Sequence, residues 1–265
     1  FGIAQIGKAF RNEITPGNFI FRTREFEQME MQYFVHPSED ESSMKFWKDK
    51  RISFYSEKLG ISEDNLKFHQ HSEDALAHYA KDAFDIEYNF PFGWGEVEGI
   101  HNRTDFDLKE HEKLSGKNMM YFDALKNEKY HPFIIETSTG LNRLFLMVLC
   151  ESYYEDNENN RTVLKLPFDL APNKIVICPL LKKDGLPEKA KEIFDSINST
   201  HKCVYDQQGS IGKRYYRQDE AGTPFGITID HETLENNSIT IRERDSMKQK
   251  RIPADNILKF ISENK

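Results

Sequence analysis

The feature that most constrains this chain is a charged, alternating hairpin near its start. Phe10-Arg11-Asn12-Glu13 and Phe21-Arg22-Thr23-Arg24-Glu25-Phe26-Glu27-Gln28-Met29-Glu30 read as two strands, and Ile14-Thr15-Pro16-Gly17-Asn18 between them carries turn residues. Side chains two apart on a strand share a face, so Arg11 lies with Glu13, and Arg22, Arg24, Phe26, Gln28 and Glu30 lie together. Cations, an aromatic ring and a carboxylate on one face make a poor core, because burying such groups unpaired is costly. A solvated edge ribbon tolerates the same alternation. The face therefore lies in water or borders a polar ligand.

With 265 residues the chain can hold one large or two ordinary domains, and we count two. Its formal net charge of −8 argues against a generally basic nucleic-acid coat but leaves room for a local basic patch. Cys150, Cys178 and Cys203 have no CxxC spacing and cannot all pair, which favours a reducing compartment over a zinc site. No apolar run approaches the roughly 20 residues that span a bilayer, and the N-terminus has no signal-peptide pattern. The expected location is cytoplasmic, with no membrane partner. Phe1-Gly2-Ile3-Ala4-Gln5-Ile6 already alternates, which reads as an opening in mid-strand with an N-terminal portion missing.

After the hairpin, Met44, Trp47, Ile52, Tyr55 and Leu59 follow helical spacing up to Gly60, with Ser42 or Ser43 as cap. A second helix is expected from Ser72, with Ala75, Leu76, Tyr79 and Ala83 as its packing face. His69, Gln70 and His71, with His78 nearby, read as loop histidines, and no metal is assigned to them. Short strands are expected over 84–100. There Glu96 and Glu98, flanking Val97, fall on one face, where their repulsion needs water, a cation or a base. Magnesium held together with triphosphate oxygens would fit, and so would a plain exposed strand. A helical segment is expected from Ile100 to about Ser115, and a strand over 130–135. Next come Glu136-Thr137-Ser138-Thr139-Gly140-Leu141-Asn142-Arg143 and the apolar helix 144–149. Glu136 and Ser138 share a strand face, Gly140 permits a close turn, and Arg143 sits on the first helical turn.

Residues 155–160 form a polar linker candidate. Beyond Pro172, strands are expected over 174–181, Cys203–Tyr205, Phe225–Ile229 and 238–241, and helices over 188–197, Ile211–Glu220 and 254–261. That order suggests an α/β domain with a mostly parallel sheet. Gly209-Ser210-Ile211-Gly212-Lys213 fails the phosphate-loop spacing. Lys213-Arg214-Tyr215-Tyr216-Arg217 mixes cations with aromatics, as RNA contact requires, or forms a basic helix face.

The residue order of the hairpin resembles motif 2 of the class II aminoacyl-tRNA synthetases, and its continuation through Gln28-Met29-Glu30 is similar to the glycyl version. Arg103-Thr104-Asp105-Phe106-Asp107-Leu108 resembles a further signature of that family, which implies that Arg103 and Asp105 lie near the active site. Glu136 to Arg143 resembles motif 3, with Thr137 where the family usually has proline. From Ala171-Pro172-Asn173-Lys174-Ile175 onward the chain is similar to class IIa anticodon-binding domains. The chain is thereby identified as a member of the homodimeric glycyl-tRNA synthetases of class IIa, without the N-terminal motif 1 region.

The resemblance implies an α+β catalytic domain with an antiparallel sheet over 1–165, followed by an α/β anticodon-binding domain over 166–265. It implies ATP-dependent attachment of glycine to tRNA(Gly) through glycyl-adenylate, with ATP as substrate, Mg2+ as cofactor and a homodimer as the complete protein. Arg11, Glu13 and Arg143 would be catalytic. ATP would contact Arg11, Asn12, Glu13, Phe21, Arg22, Thr23, Arg24, Glu25, Phe26, Glu96, Val97, Gly140, Leu141, Asn142 and Arg143, with Glu96 at the metal. Glycine would contact Phe26, Glu27, Gln28, Met29, Glu30, Glu136, Thr137, Ser138, Thr139 and Gly140. Lys213, Arg214 and Arg217 would touch tRNA. The alternatives are a non-catalytic synthetase-like accessory subunit that binds nucleic acid, and a class IIa synthetase for another amino acid.

Overall fold

In the computed structural model, which describes Phe1–Lys265, strands β1 (Gly2–Phe10) and β2 (Glu25–Val35) pair antiparallel, with Phe10 opposite Glu25. The hairpin is present, but its arms lie further out than the alternation predicts. Residues 11–24 leave the ladder as a loop, closed by a bridge between Gly17 and Arg22 and turned by left-handed Asn18 (φ 52°) and Phe19 (φ 54°). Arg22 and Arg24 are consequently loop residues, whereas Phe26, Gln28 and Glu30 keep their common strand face.

Helix α1 (Asp40–Ser53) begins before both candidate caps, and the Ser42 hydroxyl donates to the Glu39 carbonyl. It continues into a π-helical turn, Phe54–Lys58, which places Tyr55 in the core. Strand β3 (Leu66–Gln70) follows. The helix expected from Ser72 is a single 3-10 turn, Glu73–Ala75, after which Lys81 N donates to Asn102 O and the chain enters β4 (Asp82–Phe90). So short a helix is marginal alone, and the alternating strand that follows takes Ala83 into the sheet core instead.

Strand β5 (Gly93–Asn102) runs three residues into the stretch expected to be helical; α2 spans Phe106–Ser115. A small ribbon of β6 (Tyr121–Asp123) and β7 (Glu128–Tyr130) precedes β8 (Phe133–Gly140) and α3 (Leu141–Ser152). The six-stranded sheet has the order β1-β2-β8-β5-β4-β3, and every pairing in it is antiparallel. The chain folds into two compact units, Phe1–Cys150 and Glu151–Lys265.

In the second unit, residues 155–160 are no linker. They form the turn region of a hairpin between β9 (Tyr153–Asp156) and β10 (Arg161–Leu164), held by an Arg161–Asp156 ion pair of 2.7 Å. There follow β11 (Ile175–Pro179), α4 (Leu186–Asn198), β12 (Cys203–Tyr205), α5 (Ile211–Glu220), β13 (Phe225–Ile229), α6 (His231–Asn236), β14 (Ser238–Glu243), β15 (Gln249–Pro253) and α7 (Ile257–Asn264). The sheet, ordered β12-β11-β13-β14-β15, is mixed rather than mostly parallel: β12, β11 and β13 run parallel, while β14 and β15 are antiparallel. The reversal occurs at α6, whose capping box joins Asp230 to Thr233. Ile175, Ile177, Leu186, Ile227, Ile229, Ile239 and Ile241 build the core.

Candidate active site

Three central strands build the floor of a cleft on one face of the antiparallel sheet. Register places Gln28 opposite Gly140, Glu30 opposite Ser138 and Gln32 opposite Glu136 across β2 and β8. On the other side of β8, Ser138 opposes Gly99 and Glu136 opposes His101 of β5. Opposed residues share a face, so Gln28, Glu30, Gln32, Glu136, Ser138 and His101 form one polar patch.

Hydrogen bonds join that patch from end to end. The Gln28 amide nitrogen donates to Ser138 Oγ (2.5 Å) and Glu30 Oε2 (3.0 Å). The Gln32 amide nitrogen donates to Glu30 Oε1 (2.7 Å) and Glu136 Oε2 (2.6 Å). Arg103 Nη1 adds a second donor to Glu136 at 2.9 Å, and His101 Nδ1 lies 3.3 Å from its other oxygen. Burial alone would raise the Glu136 carboxyl. The hydrogen bonds from His101 and Gln32 and the Arg103 charge outweigh it and hold the group below the usual carboxylate range. Arg103 is held in turn by Asp107 (2.9 Å) and lies over the Tyr79 ring at 4.1 Å.

Above this floor, Arg11, Glu13, Phe21, Arg22, Thr23, Phe26, Gln28, Glu96, Val97, Ser138, Gly140, Asn142 and Arg143 line a pocket together with Ile20. The Arg11 guanidinium stands 5.4 Å from the Phe26 ring centroid. Arg143 is fixed by Phe21 O (3.0 Å), Glu96 O (2.8 Å) and Glu96 Oε2 (3.2 Å), and its guanidinium lies 4.3 Å over the Phe21 ring. Asn142 tethers the first turn of α3 to β2 by accepting from Glu27 N.

Other expected residues lie elsewhere. Asn12 is an exposed loop residue, and Arg24 spends its Nε on Glu13 O. Glu25 pairs with Lys8, and Leu141 opens α3. Met29, Thr137 and Thr139 face the opposite side of the sheet, where they border a cavity with Arg51, Phe54 and Glu98.

The two β5 carboxylates do not share a face. Pairing shifts from Ile86–Glu98 to Glu87–Glu96, so Val97 is the extra residue of a bulge, and the bulge inverts the alternation. Glu96 stays in the pocket beside Arg143, whereas Glu98 is 1% exposed on the far side, bound by Arg51 Nε and the Tyr55 hydroxyl, each at 2.6 Å. A two-carboxylate metal site is therefore not built here, and no group of three or more His, Cys, Asp or Glu side chains is placed to hold a metal ion. His71 and His69 pair instead with Asp85 (2.8 Å) and Glu87 (3.2 Å).

In the second unit, Arg214 is buried. Its Nε and Nη2 donate to Gly209 O and its Nη1 to Pro179 O. Arg217 reaches Gln208 O and Asp206, and Lys213 is exposed. The sequence reading passed over Gln32, which continues the period of two from Phe26 to Glu30, and over His101, whose contact depends on strand order.

Comparison with known proteins agrees with this arrangement. Residues 1–153 match the family described as tRNA synthetase class II core domain (G, H, P, S and T), and residues 174–264 match the anticodon binding domain. The chain is 52% identical to the glycine--tRNA ligase of Borrelia hermsii, with 98% of the chain and 60% of that protein covered. It is 54% identical to that of Treponema denticola (98% and 59% covered) and 51% identical to that of Chlorobaculum tepidum (99% and 56% covered). It thus spans roughly 60% of the length of these relatives. With the core match covering more than half of the chain, and with the antiparallel sheet and cleft described above, this chain belongs to the class II aminoacyl-tRNA synthetase family.

Proposed function

We propose that the whole protein attaches glycine to tRNA(Gly), with an ATP and glycine site in an N-terminal catalytic domain and an anticodon-binding domain after it. The observation that carries this reading is the junction of a cationic, aromatic pocket (Arg11, Phe26, Arg143) with a carboxylate floor (Glu30, Glu136). In the first step a glycine carboxylate oxygen attacks the α-phosphorus of ATP, and the bond to pyrophosphate breaks. In the second a hydroxyl of the terminal tRNA ribose attacks the glycyl carbonyl, and AMP leaves. Neither step needs a covalent protein nucleophile, so positioning and charge stabilisation carry the catalysis.

In this assignment Arg11 holds the α-phosphate and draws off developing charge, while Glu13 orients ATP or the acceptor end. Phe26 stacks on adenine, and Arg143 covers the opposite face as a planar cation. Arg22, which lines the pocket, serves the outer phosphates, and Arg24 braces the loop behind it. A magnesium ion that keeps its waters and phosphate ligands needs no more than one protein carboxylate, and Glu96 is the one we assign. Glu30 and Glu136 pair the substrate ammonium. The backbone at Ser138 and Gly140 excludes larger amino acids, because a pocket gains little by recognising a missing side chain and must reject bulk by clash. Lys213 and Arg217 are the tRNA contacts, and we propose a cytoplasmic homodimer.

The test is amino-acid-dependent pyrophosphate exchange by the full-length protein across a panel of amino acids. Glycine should be the substrate used, and Arg11→Ala should lower exchange by about 100-fold or more, the loss typical of removing one charge-stabilising group. Near-normal exchange by that variant, or preference for another amino acid, would refute the assignment.

A further inference from the structure

We propose that Gln32 is a positioning residue of the amino-acid pocket: its single amide nitrogen ties Glu30 to Glu136 and sets the carboxylate spacing that a substrate ammonium meets. The inference rests on the glycine reading above and extends it to a residue outside that assignment. Both partners of the Gln32 side chain are carboxylate oxygens, at 2.7 and 2.6 Å, so the nitrogen rather than the oxygen of the amide must face them. An amide NH2 group has two hydrogens, and this geometry gives one to each carboxylate.

The remaining bonds leave the pair no other common link. Glu30 is held at its second oxygen by Gln28, and Glu136 is held from the side of β5 by Arg103 and His101. Arg103 is itself balanced by Asp107. A lysine at position 32 would cancel one negative charge and compete with the substrate ammonium, and a glutamate would add a third carboxylate facing two. The neutral amide supplies two donors and leaves the site anionic. Because Gln32 stands directly opposite Glu136 in the β2–β8 register, the bridge is set by the sheet itself.

Two measurements on the full-length protein test this. In glycine-dependent exchange, Gln32→Met keeps side-chain length but removes both donors. It should raise KM for glycine about tenfold while leaving KM for ATP within about twofold, and should move the acid limb of kcat/KM for glycine to higher pH. Equal rises in both KM values, or unchanged values with an unchanged pH limb and Tm, would overturn the proposal. Independently of turnover, the side-chain carboxyl carbons of 13C-labelled glutamates can be titrated by NMR, with the Glu136 resonance identified by its loss in Glu136→Gln. Its midpoint should rise in Gln32→Met, and an identical titration would overturn the proposal whatever the activity. Absence of glycine-dependent exchange in the wild type would instead count against the functional reading, with the titration still deciding the role of Gln32.

Discussion

At the residue scale, two carboxylates near the cleft are handled in opposite ways. Glu98 is sealed beneath the sheet, and its charge is met by Arg51 and the Tyr55 hydroxyl; burial first, then the neighbouring Glu98, raise that hydroxyl well above the usual tyrosine range. Removing one member of a buried pair leaves the other uncompensated, which costs more than removing both. Arg51→Met should therefore destabilise the protein by about 3 kcal/mol in urea denaturation, and Arg51→Met with Glu98→Met should cost less than the single change. Glu136 keeps its donors at the cleft edge, and its carboxyl titrates below the ordinary value. A depressed folded-state value means that its stabilisation is complete above the unfolded carboxyl range and is lost as pH falls through the lower folded value. The stability gap between wild type and Glu136→Gln should accordingly be widest near neutrality and narrow as pH falls beneath the ordinary carboxyl range, as thermal unfolding across pH would read.

At the scale of elements, the face Phe26, Gln28, Glu30 and the strand-to-helix passage Glu136 to Arg143 were legible because a strand's period of two depends only on local backbone geometry. What was not legible arises from contacts between elements. The bulge at Val97 exists only because β5 slips by one residue against β4, and it sends Glu98 away from Glu96. The loop of residues 11–24 turns at Asn18 and Phe19, of which only the asparagine is a familiar left-handed residue. Gly95 shows the consequence for the pocket. A Cβ there would stand 2.8 Å from the Phe21 ring, which is held edge-on by Phe90 (5.2 Å) and Phe92 (5.1 Å) and supports Arg143 from below. Gly95→Ala should force the ring outward and tilt Arg143, raising KM for ATP about tenfold while KM for glycine stays within about twofold. Steady-state exchange kinetics would show this, and equal changes in both constants would argue against Phe21 as the support of Arg143.

At the scale of the whole molecule, the chain joins two units that handle charge differently. The first lines an open cleft with charges besides the Arg51–Glu98 pair sealed behind it, whereas the second buries a network of arginines and aspartates with no counterpart in the alternating pattern of its strands. There Asp219, 1% exposed, accepts two bonds of 2.9 Å from Arg242 and one of 2.7 Å from Arg161. Asp156 binds the Nε of the same Arg161. The strand and helix order of this unit could be read from apolar runs, but the inward arginines could not, because Arg161, Arg214 and Arg242 look like any surface cation until packing closes over them. Asp219→Asn keeps the shape while withdrawing the countercharge from two buried guanidiniums, a loss of about 3–5 kcal/mol. Every residue of the network lies in Glu151–Lys265, and every residue assigned to adenylate formation lies in Phe1–Cys150. In the full-length protein, pyrophosphate exchange should therefore stay within about twofold of wild type while tRNA charging falls about tenfold or more, with an earlier transition in calorimetry. If both activities fell together, the second unit would be a support for the adenylate site rather than a separate reader of tRNA.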